Sequence, residues 1–409
     1  MTITQYFLII LSLSGTSTNS LKSPFIRYNQ LNLIRSKPIC NYLYSKERIA
    51  QNYKFYNDYK PEKILIGLAA DSGCGKSTFM KKIIQNIGNG NNIGLLGGGF
   101  SSENGWETNT LVSDDITVIC LDDYHLNDRK GRQITNKTAL HADENNFDLM
   151  YHQLKRLKSG LSIDKPIYNH VNGTLDPPEK IIPTDVIIVE GLHPLYDVRI
   201  RELLDFSIYL DVDDEIKTEW KIQRDNMERG HSINDIKKSI LSRKCDFDTY
   251  VAPQKSHADV VISISPTSLI DELSINTLKV SMIQKQNNPN FKPVYLFDEG
   301  SNIDWTPCGK KLTCSYPGIK FKYFQDVYYD NEVSILEMDG KFDNLEEVLY
   351  LENHLSNTGT KFYGELTKQM VKFKDSIGSD NGTGFFQTLV ALKLREVYED
   401  LIIKSVQLN

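Results

Sequence analysis

The stretch Ile64-Leu65-Ile66-Gly67-Leu68-Ala69-Ala70-Asp71-Ser72-Gly73-Cys74-Gly75-Lys76-Ser77-Thr78 decides the reading of this chain. Its first seven residues form a short apolar run, the pattern of a buried parallel strand. A glycine-rich turn follows, and the pattern from Phe79 to Ile87 is helical. Strand, glycine-rich loop and helix in that order make a phosphate-binding loop. Successive backbone N–H groups and the helix N-terminus form a cradle for anions. Gly73, Gly75, Lys76, Ser77 and Thr78 are the expected nucleotide contacts. Lys76 reaches the β- and γ-phosphates, and the Ser77 hydroxyl is available to Mg²⁺. Ala70 stands where the usual pattern has its first glycine, a position where a small residue suffices.

Thr117-Val118-Ile119-Cys120-Leu121 is a second β-branched, apolar run. It ends in Asp122-Asp123-Tyr124-His125, with Arg129 and Arg132 just beyond. In open parallel sheets ligands sit outside the carboxyl ends of the strands, so an acid there faces the phosphate loop. Phosphoryl transfer to an alcohol needs a carboxylate to take the hydroxyl proton, which makes Asp122 the candidate base. The plainer reading of both aspartates is the capping of a turn. His125 and Arg129 suit a phosphorylated acceptor. A third strand, Asp185-Val186-Ile187-Ile188-Val189, ends in Glu190, where a second Mg²⁺ contact is expected. A capping glutamate is the alternative. Between these strands lie Lys165-Pro166-Ile167-Tyr168-Asn169-His170 and Asp176-Pro177-Pro178, polar, aromatic and turn-rich enough to line an acceptor pocket.

Phe206 to Asp211 reads as a fourth strand and Asp259 to Ile264 as a fifth, with a helix from about Asp214 to Glu228 between them. Lys221, Arg224 and Asp225 share one face of that helix, and Arg229 lies just past its end. Such a stripe is commonly a solvated face. In a kinase that receives no arginine from a partner it closes over the phosphates and spreads the charge of the transition state. The expected fold is therefore α/β, a P-loop kinase with a mixed, largely parallel central sheet flanked by helices, plus C-terminal strands and helices.

Composition agrees. The 409 residues are 40% apolar and 24% charged, ordinary for a globular chain able to bury a core without metal or disulfide staples. The formal charge of -6 argues against nucleic acid as a partner. The N-terminus differs from the rest. Tyr6 to Gly15 is apolar but shorter than the roughly 20 residues a bilayer span needs. Over residues 1–56 there are seven Lys/Arg and one acid. A signal-like segment followed by a basic, acid-poor, Ser/Asn-rich one is the mark of a targeting leader; a plain N-terminal tail is the alternative. Without residues 1–56 the body, 57–409, carries 40 basic and 52 acidic residues, near -12.

With these motifs in place the chain resembles phosphoribulokinase of the plant and algal type, a Calvin-cycle enzyme related to uridine kinase. The resemblance runs through Gly67 to Met80, Val118 to His125, Lys165 to His170, Leu175 to Glu179, Glu190 to Pro194, Leu203 to Asp211 and Lys221 to His231. It continues through Tyr295 to Gly300, Trp305 to Gly318, Lys361 to Glu365 and Asn381 to Gly384, an extension from about residue 280. Generic uridine kinases share only the first part. The resemblance implies ATP-dependent phosphorylation of D-ribulose 5-phosphate to ribulose 1,5-bisphosphate in the stroma of a chloroplast or plastid. It implies Asp122 as base and Lys76, Lys221 and Arg224 as catalytic cations. Ser77 and Glu190 would hold Mg²⁺. His125, Arg129, Tyr168, His170 and Arg229 would surround the sugar phosphate, and Arg224 and Asp225 would belong to a closing lid. It further implies a homodimer built by sheet extension, and an inhibitory complex with glyceraldehyde-3-phosphate dehydrogenase and a small adaptor protein. No membrane association is expected. The stretch from Gly88 to Thr110, rich in Gly and Asn, departs from the family and reads as a long flexible loop.

The six cysteines are Cys40, Cys74, Cys120, Cys245, Cys308 and Cys314. No Cys-x-x-Cys pair is present, which argues against a zinc ribbon. Buried free thiols are the ordinary reading; the resemblance instead implies Cys74–Cys120 and Cys308–Cys314 as thioredoxin-controlled disulfides. Cys74 lies near a helix N-terminus and Lys76, both of which favour a reactive thiolate. Two other functions stay open at this point. A nucleoside kinase of the same fold would lack the Phe291 to Gly318 region, and a non-catalytic nucleotide-binding regulator would lack the base or the metal ligand.

Overall fold

In the computed structural model the seven residues ahead of the glycine-rich loop form strand β1 (Ile64–Ala70), buried along its whole length. The structure describes residues 63–407 apart from 88–92, 96–110, 114–115, 228–229, 231, 290, 308–311, 313–314, 359–362 and 377. The chain divides into Met1–Tyr59, outside the described residues, and a compact unit, Lys60–Asn409. The leader, Arg229, Cys308 and Cys314 therefore lie outside what is described.

The remaining strands are β2 (Ile93–Leu95), β3 (Leu111–Ser113), β4 (Ile116–Cys120), β5 (Ile163–Tyr168), β6 (Leu175–Ile181), β7 (Val186–Gly191), β8 (Phe206–Val212), β9 (Val260–Pro266) and β10 (Leu278–Lys285). They are followed by β11 (Tyr295–Leu296), β12 (Ile303–Trp305), β13 (Ile319–Tyr328), β14 (Asn331–Gly340) and β15 (Leu355–Ser356). Eleven of them form one sheet in the order β12-β13-β14-β10-β9-β8-β1-β7-β4-β3-β2. Its centre, β9-β8-β1-β7-β4, is parallel, and both flanks are antiparallel. Central strands covered on both faces read as continuous apolar runs, which is why β1, β4, β7 and β8 were legible without alternation.

The expected boundary near residue 280 falls inside β10, which pairs with β9 along its length. The C-terminal strands thus continue the sheet. The Gly88 to Thr110 stretch, expected as a loop, contains a strand: β2 pairs antiparallel with β3. Hydrogen bonding to β3 and, through it, to β4 gives these short strands backbone partners that their composition does not advertise.

Helix α1 (Lys76–Ile87) buries Phe79, Met80, Ile83, Ile84 and Ile87. Each such side chain contributes roughly 1.5–3 kcal/mol. The next helices are α2 (Arg129–Thr135), α3 (Phe147–Lys158), α4 (Val198–Arg201), α5 (Asp214–Met227) and α6 (Ile233–Asp246). The last are α7 (Val348–Glu352), α8 (Glu365–Lys372) and α9 (Gly382–Gln407). Phe385, Phe386, Leu389, Val390 and Leu392 of α9 are wholly buried and share the main core with α1 and β10. Strands β5 and β6 form a separate two-stranded hairpin. Among the described residues no helix is long and apolar enough to cross a membrane.

Candidate active site

The loop after β1 turns on two glycines in the left-handed region, Gly73 (φ +89°) and Gly75 (φ +78°). L side chains rarely adopt that backbone, which fixes glycine at these points. The Asp71 carboxylate accepts the Ser72 N–H at 2.6 Å. The first turn of α1 carries no acid, so its N–H groups are left for an anion. Ser77 is exposed at that turn and Lys76 is half-buried.

Two acids come to the loop from neighbouring strand ends. Glu190 of β7 is in register with Leu68 of β1 on one side and Cys120 of β4 on the other. Its Oε2 lies 2.9 Å from Lys76 Nζ. Burial lowers the Lys76 pKa, but Glu190 and then Asp122 outweigh it and hold the ammonium charged. Asp122 lies on the 3₁₀ turn Leu121–Tyr124. Burial pushes its carboxyl up, yet the cations around it, Lys76 foremost, bring it below the ordinary range. An ionised carboxylate beside the phosphate loop is competent to accept a proton.

Asp123, its neighbour, faces away from this cluster and is fully buried. Its carboxylate accepts the Tyr168 N–H at 2.8 Å and the Lys165 ammonium. Burial raises this carboxyl to about 7 against the pull of Lys165. Sequence placed both aspartates at the strand end; only the fold separates their surroundings.

The hairpin supplies an aromatic wall. Tyr168 stands edge-on to His125 and to His170, each at 5.1 Å between ring centroids. Arg132 stacks over the Tyr168 ring and donates to its hydroxyl at 2.6 Å. Arg129 donates to the His170 carbonyl at 2.8 Å. Burial lowers His125 to about 4, so near neutrality it offers hydrogen bonds and no charge.

On the other side, α5 packs its basic face on the loop. Gly73 lies against Lys221 and Arg224. Arg224 pairs with Asp225 at 2.8 Å and reaches Ser72 Oγ at 3.5 Å. Lys221 is buried, and burial first, then the Arg243 charge, lowers its pKa. Two cations not singled out in the sequence join this face. Lys217 lies between Asp214 at 2.7 Å and Asp71 at 3.5 Å. It sits four residues before Lys221, a helical spacing that carried the signal. Arg243 of α6 acts on both Asp122 and Lys221, and no local pattern marks it.

One expectation is corrected. Cys74 is not a ready thiolate: burial, then the Asp71 charge, pushes its thiol up to about 12 against Lys217 and Lys76. Cys120 is raised as well, by burial and then by Glu190. Both are buried and free.

The donors at the loop are compatible with Mg²⁺. No group of three or more His, Cys, Asp or Glu suited to a metal occurs among the described residues. Mg²⁺ in nucleotide sites takes one or two protein oxygens, with phosphates and water supplying the rest. The exposed Ser77 hydroxyl and the Glu190 carboxylate meet that need.

A glycine loop between a buried strand and a helix, with acids delivered by the next two strands on one side of the sheet, defines a P-loop kinase. The model of the Phosphoribulokinase / Uridine kinase family matches residues 65–271. The chain is 58% identical over 344 residues to a chloroplastic phosphoribulokinase of Spinacia oleracea, covering 83% of each. It is 55% identical over 342 residues to a phosphoribulokinase of Synechocystis sp., covering 84% of this chain and 96% of that one. A uridine kinase of Limosilactobacillus reuteri is 31% identical over 204 residues, 49% of this chain and 82% of that one. The chain belongs to the phosphoribulokinase and uridine kinase family.

Proposed function

We propose that this chain transfers the γ-phosphoryl group of ATP to D-ribulose 5-phosphate, giving ribulose 1,5-bisphosphate for the Calvin cycle, in the stroma of a plastid. The observation that carries the reaction type is the Asp122 carboxylate, kept ionised beside Lys76 at the phosphate loop. The acceptor is favoured over uridine because similarity to phosphoribulokinases spans the C-terminal half as well.

In this reading the loop amides, Gly73, Gly75, Ser77 and Thr78 cradle the ATP phosphates. Lys76, Lys221 and Arg224 offset charge on the transferred group, and Asp225 holds the Arg224 guanidinium in place as the lid closes. Asp122 takes the proton of the acceptor hydroxyl. Arg129, Tyr168 and His170, with His125 as a neutral partner, form the sugar-phosphate wall; Arg229, outside the described residues, is assigned to the same sugar phosphate by the resemblance alone. Mg²⁺ held by Ser77 and Glu190 would supply charge neutralisation at the phosphates.

Thioredoxin control is part of the proposal. Cys120 stands two strands from β1, with β7 between, a distance of roughly 9–10 Å. A disulfide needs Cα atoms within about 7 Å, and a Cys74–Cys120 bond would tie the phosphate loop that follows β1 to the strand that leads into Asp122. Cys308–Cys314 would form the second pair. Among the described residues β2 and β12 are the edge strands of the sheet, the place where a homodimer built by sheet extension would form. The inhibitory complex with glyceraldehyde-3-phosphate dehydrogenase and its adaptor, and residues 1–56 as a plastid leader, complete the proposal. It is tested by coupled ATP consumption with ribulose 5-phosphate, ribose 5-phosphate and uridine in parallel. ATP use dependent on ribulose 5-phosphate is expected; preference for uridine would contradict it.

A further inference from the structure

Three ionisable side chains that the reaction does not use are gathered behind the acceptor wall. Asp123 and Lys165 are both 0% exposed. Lys165 Nζ donates to Asp123 Oδ2 and lies 3.1 Å from Glu179 Oε1. Asp123 Oδ1 accepts the Tyr168 N–H at 2.8 Å. Lys165 and Glu179 face each other across β5 and β6, and the register shifts between Lys165 and Ile167, where the strand bends. One carboxylate thus grips the hairpin twice, by a side chain and by the backbone of the residue that ends β5.

Burying charge costs stability unless every charge is paired, and apolar replacements of such clusters are often neutral or stabilising. Stability alone therefore gives a weak account of an ionic cluster with two fully buried members at this spot. Its location gives a better one. Asp123 follows Asp122 in the chain, and the Tyr168 ring stands edge-on to His170, two residues on. The cluster ties the turn that carries Asp122 to the hairpin that carries Tyr168 and His170.

We propose that Asp123, Lys165 and Glu179 form a positioning clip that sets the β5–β6 hairpin, and with it Tyr168 and His170, against the turn that carries Asp122. The adjacent aspartates divide the work: Asp122 faces the reaction and Asp123 holds the wall. This rests on the reading of the hairpin as the acceptor side.

The test is Asp123→Asn in steady-state kinetics against both substrates, with thermal melting to establish that the variant folds. An amide offers an acceptor to the Tyr168 N–H or to Lys165 but not to both, while Lys165 keeps Glu179. The KM for ribulose 5-phosphate should rise roughly ten- to hundredfold, with a fall in kcat and an ATP KM within about twofold of the parent. A folded variant with parental acceptor KM and only a lower melting temperature would make the cluster structural and overturn the proposal. An equal rise in both KM values would also overturn it. Lys165→Met alone leaves two carboxylates facing each other; adding Asp123→Asn removes one charge, so the double variant should melt above Lys165→Met. Losses that simply add would contradict the clip. If the parent enzyme phosphorylates uridine and not ribulose 5-phosphate, the acceptor reading fails by itself, and the same KM comparison made with uridine decides the clip.

Discussion

Lys76 Nζ and Glu190 Oε2 lie 2.9 Å apart, so the lysine of the phosphate loop and the acid that ends the adjacent parallel strand neutralise each other across β1 and β7. The pair keeps an ammonium charged at the base of an anion cradle and leaves a carboxylate where a hard cation would bind.

Removing the carboxylate charge should expose both functions. Glu190→Gln is expected to lower turnover roughly ten- to hundredfold and to move the Mg²⁺ dependence to higher concentration, because Mg²⁺ prefers anionic oxygen. A Mg²⁺ titration of the variant checks this. A parental Mg²⁺ dependence would remove Glu190 from the metal site.

Burial makes the two thiols near the site poor nucleophiles in this conformation. Burial holds the Cys74 thiol near 12, while Cys245 is exposed. Alkylation of the reduced native protein at pH 8 should therefore label Cys245 at least about tenfold faster than Cys74 or Cys120. Peptide mapping over a time course reads the order. Rapid labelling of Cys74 would mean that the loop opens far more than this conformation allows.

Oxidation is expected to abolish most activity, and a dithiol reductant to restore it. Cys120→Ser should stay active under oxidant, and Cys40→Ser should behave as the parent. Activity is measured alongside mapping of the bridge. Full activity in a sample shown to carry the Cys74–Cys120 bond would sink the switch.

A chain beginning near Phe55 should fold and keep full activity, since β1 starts at Ile64 and the site lies beyond it. Melting temperature and turnover of the shortened chain are compared with those of the full one. Loss of folding would make the first segment structural.

Much of this site was readable because its chemistry sits at strand ends. A continuous apolar run, a glycine loop and an amphipathic helix leave few alternatives, and acids closing two further apolar runs must face the same crevice. Burial was less legible. Asp122 and Asp123 are identical in local sequence, and what separates them is Lys165, 42 residues away, packed against one of them. Cys74 shows the same limit from the other side. Its local cues, a helix N-terminus and Lys76, favour a thiolate, but exclusion of water and the Asp71 charge prevail. Lys217 follows helical spacing from Lys221, whereas Arg243 reaches the site only through the packing of α6 against α5. Strands β2 and β3 are short, and their pairing is set by β4 rather than by their own pattern.

Transfer of the sugar-phosphate hydroxyl proton to Asp122 is the step on which the proposed reaction depends. The Asp122 carboxyl lies below the ordinary range, so protonation should remove the base only when pH falls through that depressed value, and activity between pH 6 and 8 should show no acid limb from it. The direct measurement is single-turnover phosphoryl transfer from ATP to ribulose 5-phosphate in Asp122→Asn, with ATP affinity determined on the same protein. The expected result is a rate about 10²–10⁴-fold below the parent with ATP affinity little changed. A near-parental rate in Asp122→Asn, with the loss appearing in Asp123→Asn instead, would contradict the assignment of the base.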